Sequence, residues 1–381
     1  MADTISGTLI SRNYGNFKGV DFSNRKDEVS LNRSPDALNM WKNYKSNYGR
    51  CVETRPDIEL LKEYSDTIFG LFFYAYNGSN HRIVHSGTKL YDNENVIYTS
   101  MAEHESKFFV YDKKLYIKDG NKYLVYDGNL INEVVGFIPT TTIGRSPAGS
   151  GTIYQDVNML TGIRKNSFLA DGESVEYILD TEKFDSDYPV KVWVNGVELK
   201  AGFTAYPDQG KITFITAPEK PLTAGQDNVI IEFRKTISGY RDRIDKCTLL
   251  EVFDNRIFFS GNPDYPHVLF HSSLDDPTYC SDLDYYEEGE SDSKIKAIVS
   301  GNNALWVFKE PSQANTTIFY HNPVVDNDYG KVYPSTHSSI SIGCVSTGIN
   351  FNDDLVFFSD RGMEAISGDV TTEQVLAHRS T

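Results

Sequence analysis

The chain has 381 residues and a formal net charge of −16, with 37 Lys and Arg against 53 Asp and Glu. That balance argues against a surface built to grip nucleic-acid phosphates, which depends on Lys and Arg, and its plain reading is a solubility charge. The length admits two or three domains, or one large repeat domain with an insertion, and 24 Tyr, 22 Phe and 28 Gly favour sheet over helix.

Cys51, Cys247, Cys280 and Cys344 are scattered and lack any zinc or disulfide spacing, so buried reduced thiols are expected. MADTISGTLISRNYG lacks a basic n-region and an apolar h-region, so no secretory signal is expected. No apolar run approaches the roughly 18 residues of a membrane span. Synthesis and folding in the cytoplasm are the expectation.

Residues 1–61 are polar and without a period, and read as an extended N-terminal arm. Ser34-Pro35-Asp36 has the form of an N-cap, N1 and first-turn acid, which predicts a short helix over ALNMWKNY. Gly49–Pro56 reads as a short strand stopped by proline. From Thr67 the pattern becomes regular, with hairpin turns at Asn77-Gly78, Asp112-Lys113-Lys114 and Asp119-Gly120.

One unit recurs: an apolar strand, a small polar turn, then Leu or Ile leading an aromatic-rich strand. It appears as IVHSGTKLY, VYDKKLYI, VFDNRIFF, VSGNNALWVF and FNDDLVFF, led by Leu90, Leu115, Ile257, Leu305 and Leu355. The last three leaders stand 48 and 50 residues apart, near the roughly 50-residue length of a kelch-type blade. Leu90 and Leu115 are only 25 apart, which fits two hairpins of one blade or two short blades. The fold expected is all-β: a β-propeller-like array of antiparallel blades, with a two-layer sandwich as the alternative.

The interval between Leu115 and Ile257 is too long for the repeat. Thr140–Gly151 (TTTIGRSPAGSG) reads as linker, closing a first group of blades over residues 62–151. Residues 162–234 then give five or six strands, with an Asn195-Gly196 hairpin, and read as an inserted small β-sandwich domain. The remaining blades occupy 237–381, and the array has room for roughly four or five blades.

Candidate chemistry is thin. The acidic run Asp275, Asp276, Asp282, Asp284, Glu287, Glu288, Glu290 and Asp292 lacks the ligand order and mid-loop glycine of an EF-hand and reads as a solvated loop. Asp326–Gly330 is a second oxygen-rich turn of equally modest claim. Ser359-Asp360-Arg361-Gly362 resembles the Asp-box turn of sialidase-type propellers without its Thr-Trp end, and that box is structural. His267 and His271 flank a strand-like VLF, where i and i+4 do not converge on a metal. No catalytic, cofactor-binding or metal residue is assigned, and no enzyme activity is expected.

Phe17–Leu61, with SPDALNMWKNY and GRCVETRP, resembles the N-terminal arm of tailed-phage and prophage virion proteins. Phe253–Tyr279 (FDNRIFFSGNPDYPHVLFHSSLDDPTY), Ala304–Pro311 and Ile342–Ser367 resemble their blades, and FLADGESVEYILD with VWVNG and ITFITAP is similar to small β-sandwich domains of phage tail components. The family resembled is the propeller-bearing tail nozzle, hub or stabilisation proteins of short-tailed phages. The resemblance implies a non-enzymatic virion structural protein of the tail or neck, synthesised in host cytoplasm. It also implies a homo-oligomeric ring, six-fold, touching other tail, neck or portal-adaptor proteins, with DNA passing its lumen unbound. A host-surface (glycan) binding module is the alternative, and a propeller glycosidase a third.

Overall fold

The computed structural model describes residues 18–21, 23–36, 39–43, 51–54, 57–76, 78–312, 316–326, 330–338, 341–351, 354–367 and 376–379. The chain forms two compact units, Met1–Glu63 and Tyr64–Thr381. Nearly every described element is a strand, in mostly antiparallel sheets. No helix among the described residues is long and apolar enough to cross a membrane.

In the first unit the expected helix gives way to a hairpin. Strand β1 (Met40–Asn43) pairs antiparallel with β2 (Cys51–Thr54), Met40 opposite Thr54. Ser34 Oγ accepts the Asp36 N–H at 3.3 Å, as an N-cap does. The helix is lost three residues later, where Asn39 takes φ +56° and turns the backbone left-handed. Ala37, Leu38 and Tyr44 of the expected helix lie outside the described residues.

The second unit contains five four-stranded antiparallel meanders. The first runs β3 (Ile68–Tyr76), β4 (Ser79–Ser86), β5 (Lys89–Asp92), β6 (Asn95–Tyr98), and the second β7 (Lys107–Tyr111), β8 (Lys114–Lys118), β9 (Tyr123–Tyr126), β10 (Ile131–Glu133). Between the second and third lie β11 (Thr140–Arg145), β12 (Thr152–Ile153), β13 (Ile163–Phe168), β14 (Glu176–Ile178), β15 (Lys191–Val194), β16 (Val197–Leu199), β17 (Phe203–Tyr206), β18 (Lys211–Phe214), β19 (Val229–Arg234) and the short helix α1 (Tyr240–Asp245). The third meander is β20 (Leu249–Phe253), β21 (Arg256–Ser260), β22 (Val268–His271), β23 (Tyr285–Glu287). The fourth, β24 (Ile295–Gly301), β25 (Ala304–Lys309), β26 (Ile318–His321), detours through the hairpin β27 (Val324–Asp326) and β28 (Gly330–Val332) before β29 (Ser335–His337). The fifth is β30 (Gly348–Phe351), β31 (Asp354–Ser359), β32 (Gly362–Ser367), β33 (Leu376–Arg379).

Turn chemistry sets these hairpins. Asp112-Lys113, Asp254-Asn255 and Asn302-Asn303 each hold both residues at positive φ, the type I′ geometry that matches strand twist, and Asn195-Gly196 does the same between β15 and β16. The Asn77 and Asn352-Asp353 positions of two further expected turns lie outside the described residues. In four meanders the recurring unit is the first hairpin, whereas IVHSGTKLY is the second hairpin, β4–β5, of its sheet. Leu90 and Leu115 therefore belong to two separate sheets.

The first strands stand side by side along the chain: β3 by β7, β7 by β20, β20 by β24, β24 by β30. Between successive sheets lies a buried core, and a strand in the middle of the array feeds two of them. Leu305 and Val307 of β25 join Phe258, Leu269 and Ile298, while Trp306 and Phe308 join Leu355, Phe357 and Ile366 on the other side. Burial on both faces is why such strands are continuously apolar instead of alternating. The outer faces of the end sheets differ: Leu71 and Phe73 on the first and the cross-strand pair Phe358 and Met363 on the fifth are exposed.

The interval holds a six-stranded sheet, β12-β11-β13-β19-β15-β16, and a three-stranded one, β14-β18-β17. Phe168, Tyr177, Val192, Phe214, Ile231 and Phe233 form a buried core with Ala170, Leu179 and Phe184 of the connecting segments. The stretch 140–151 read as linker is in fact strand β11, the parallel partner of β13, and a turn at Ser146–Gly149 returning to β12. Its β-branched TTTI run has strand preference, and the SPAGSG that resembles a linker supplies the tight turn. Gly210 is sterically required: φ is +55° and a Cβ there would collide with the Thr181 carbonyl oxygen.

Candidate functional site

The acidic run is not uniformly solvated. Asp275 and Glu287 are exposed, but Glu288 is fully buried, its Oε1 2.9 Å from His321 Nε2 and its Oε2 accepting the Ser335 hydroxyl at 2.6 Å. His321 Nδ1 lies 2.9 Å from the Tyr333 carbonyl and donates to it, so the pair joins the third and fourth meanders. Buried Lys309 donates to the carbonyls of Glu288 and Glu290. Asp276 is spent on a turn with Thr278, and Asp292 on Ser312. Burial pushes the Asp284 carboxyl up to about 6, with Arg256 opposing and Asp156 and Asp282 adding to the rise.

His271 is buried on β22, and burial holds its imidazole down at about 4. His267 lies just before the strand and does not converge with it. Ser359 orders the turn it opens, its hydroxyl accepting the Arg361 N–H and donating to the Gly362 carbonyl. Residues 327–329 of the second oxygen-rich turn lie outside the described residues. Among the described residues no group of three or more His, Cys, Asp or Glu is placed to hold a metal ion. Cys247, Cys280 and Cys344 are free and buried.

Where the nine-stranded insertion meets the array, a polar knot forms around Asn158. Its amide donates to the carbonyls of Phe137 and Thr278 at 2.8 and 2.9 Å, and its oxygen accepts the N–H groups of Leu160 and Cys280. Arg241 of α1 donates to the carbonyls of Val134 and Leu160 and pairs with Asp245 at 2.8 Å. Fully buried Lys118 reaches the carbonyls of Lys122 and Asp245, and burial lowers its pKa. These groups lock segment 155–161 and α1 against the second and third meanders.

Beside this knot opens a cleft of about 920 Å³, bounded by the β11–β12 hairpin, the end of β14, the turn after β17 and Asp282-Leu283 of the third meander. Its interior is built around Asp180. That carboxylate accepts the Thr141 hydroxyl at 2.5 Å and pairs with Arg164 at 3.4 Å, while its N–H is held by Asn166. Arg145 donates to the carbonyls of Ile178 and Leu179 and packs over the Phe168 ring. Thr142 Oγ1, Arg145 Nε, Arg164 Nε and Asp180 Oδ1 are buried without a hydrogen-bond partner. No sequence motif announced this cleft: its residues come from five separated segments, one of them read as linker.

No family model and no curated protein matches the chain. Among solved structures, it is similar to the extracellular domain of a hybrid two-component system from B. thetaiotaomicron, at 13% identity and a TM-score of 0.29 over 85% of this chain, spanning 35% of that one. It is also similar to the SapL1 lectin in complex with alpha methyl fucoside, at 12% identity and a TM-score of 0.21, over 82% of this chain and 95% of that one.

Proposed function

We propose that the chain is a non-enzymatic structural protein of a phage virion, a tail nozzle or hub component that assembles into a ring around the DNA exit channel. The observation that carries this reading is the series of five meanders whose first strands stand side by side in chain order, an arrangement that fits a β-propeller-like array. The arm and blade motifs that resemble those of tail nozzle proteins support it. So does the net charge of −16, which suits a conduit that lets DNA pass without holding it. The exposed apolar outer faces of the first and fifth meanders are surfaces a further sheet or a neighbouring subunit would cover. Other tail, neck or portal-adaptor proteins are the partners on this reading.

Native mass spectrometry at micromolar concentration tests it. A closed homo-oligomer, six-fold by the resemblance, is the expected result, with deletion of residues 1–60 abolishing the ring while the blades stay folded. A monomer at every concentration sinks the reading.

A further inference from the structure

We propose that the cleft at the base of the insertion is a binding site for a neutral oligosaccharide. The proposal stands apart from ring assembly and rests on the cleft's own chemistry.

The site is constructed from buried parts. Thr142, Arg145 and Arg164 line it and are each more than nine-tenths buried, and each keeps a polar atom without a partner. Leaving such groups unpaired is costly, so something polar completes them. The interior therefore offers donors, from the two guanidinium groups and a hydroxyl, next to the acceptor oxygens of Asp180.

Around that floor the charge is unbalanced. Five carboxylates, Asp156, Asp180, Glu182, Asp208 and Asp282, face two guanidinium groups. A phosphate, uronate or sialic acid would meet net repulsion. A sugar hydroxyl does not: it donates to a carboxylate while accepting from a guanidinium or amide N–H, so adjacent donors and acceptors suit a row of hydroxyls. Gln155 and Gln209 add amides at the rim, and Ile153, Ile178 and Leu283 give apolar surface for the C–H faces of a ring. The volume lies at the upper end of the range for small-ligand sites. That accommodates several sugar units better than one, and the open shape admits a chain end.

The test is a glycan array of neutral and acidic oligosaccharides, followed by calorimetric titration of the strongest neutral trisaccharide. Rim variants Asp208→Ala and Glu182→Ala sit at exposed positions and are expected to keep the melting temperature while weakening binding about tenfold each, the scale of one lost charged hydrogen bond. Trp193→Ala, whose ring packs against Lys165 outside the cleft, is expected to leave affinity unchanged. Absence of binding to every neutral oligosaccharide overturns the proposal. So does preference for acidic glycans, tighter binding of an oligolysine peptide, or neutral-glycan binding that survives both rim variants. The oligomeric state in native mass spectrometry is read separately, so either proposal can fail alone.

Discussion

Asp284 and His271 are neighbours in the third meander that respond to pH through the same cause, burial. The folded state holds the Asp284 carboxyl at about 6 against an ordinary 3.8, so it favours the protonated acid. Below the ordinary value both folded and unfolded chains carry the proton and nothing is lost. As pH rises toward 6 the unfolded chain ionises first, stability falls, and above 6 the penalty levels at roughly 3 kcal/mol. Asp284→Asn is therefore expected to raise unfolding free energy by up to about 3 kcal/mol at pH 7.5, with the gain vanishing near pH 4. Urea titrations of both proteins at the two pH values check this, and an equal gain at both would remove burial of charge as the cause. His271 works the other way: held at about 4, it lets the unfolded chain bind the proton first as pH falls from its ordinary 6.5, so its share of stability is lost in acid.

At the scale of elements, Asn158 helps join the insertion to the array, two of its four hydrogen bonds crossing to Thr278 and Cys280 of the third meander. Asn158→Ala leaves the buried N–H groups of Leu160 and Cys280 short of a partner, and is expected to cost about 2–4 kcal/mol in chemical denaturation. A cost below 0.5 kcal/mol, roughly the level of an ordinary surface substitution, would show that water replaces the amide. The insertion's own core is built only from residues between Phe168 and Phe233, so a fragment of residues 137–236 is expected to melt cooperatively by circular dichroism with dispersed amide resonances. A non-cooperative melt would mean the array holds it together. Strand identity here was legible because Asn195-Gly196 and alternating runs are local signals. The parallel ladder between β11 and β13 was not, because it joins segments whose relation only the finished sheet defines, and its glycine-rich turn has a linker's composition. The cap-like pattern at Ser34 has its hydrogen bond to the Asp36 N–H but no helix, since Asn39 is left-handed and β1 begins at Met40.

For the whole molecule, the five turn-and-aromatic units revealed a repeating all-β chain because each hairpin carries its own turn residues. They could not say which hairpin of a sheet each unit was, since first and second hairpins have the same local chemistry; IVHSGTKLY is the case in point. The continuous apolar runs at Ile257–Phe259 and Leu305–Phe308 contained more information than their turns, because only a sheet covered on both faces needs them. The charge imbalance of the cleft was invisible at this level: with 53 acids in the chain, five that converge look like any five that do not.

The chain leaves the array for the nine-stranded insertion twice, once through β11–β12 and again through β13–β19, and both times it returns beside Asn158 and α1. A tug on the insertion, such as a tethered ligand would exert, is thus shared by four covalent crossings that gather near one anchorage. The load would arrive at the seam between the second and third meanders, where Asn158 and Arg241 tie both, rather than at a floppy hinge. Mechanically the insertion is a handle on that seam.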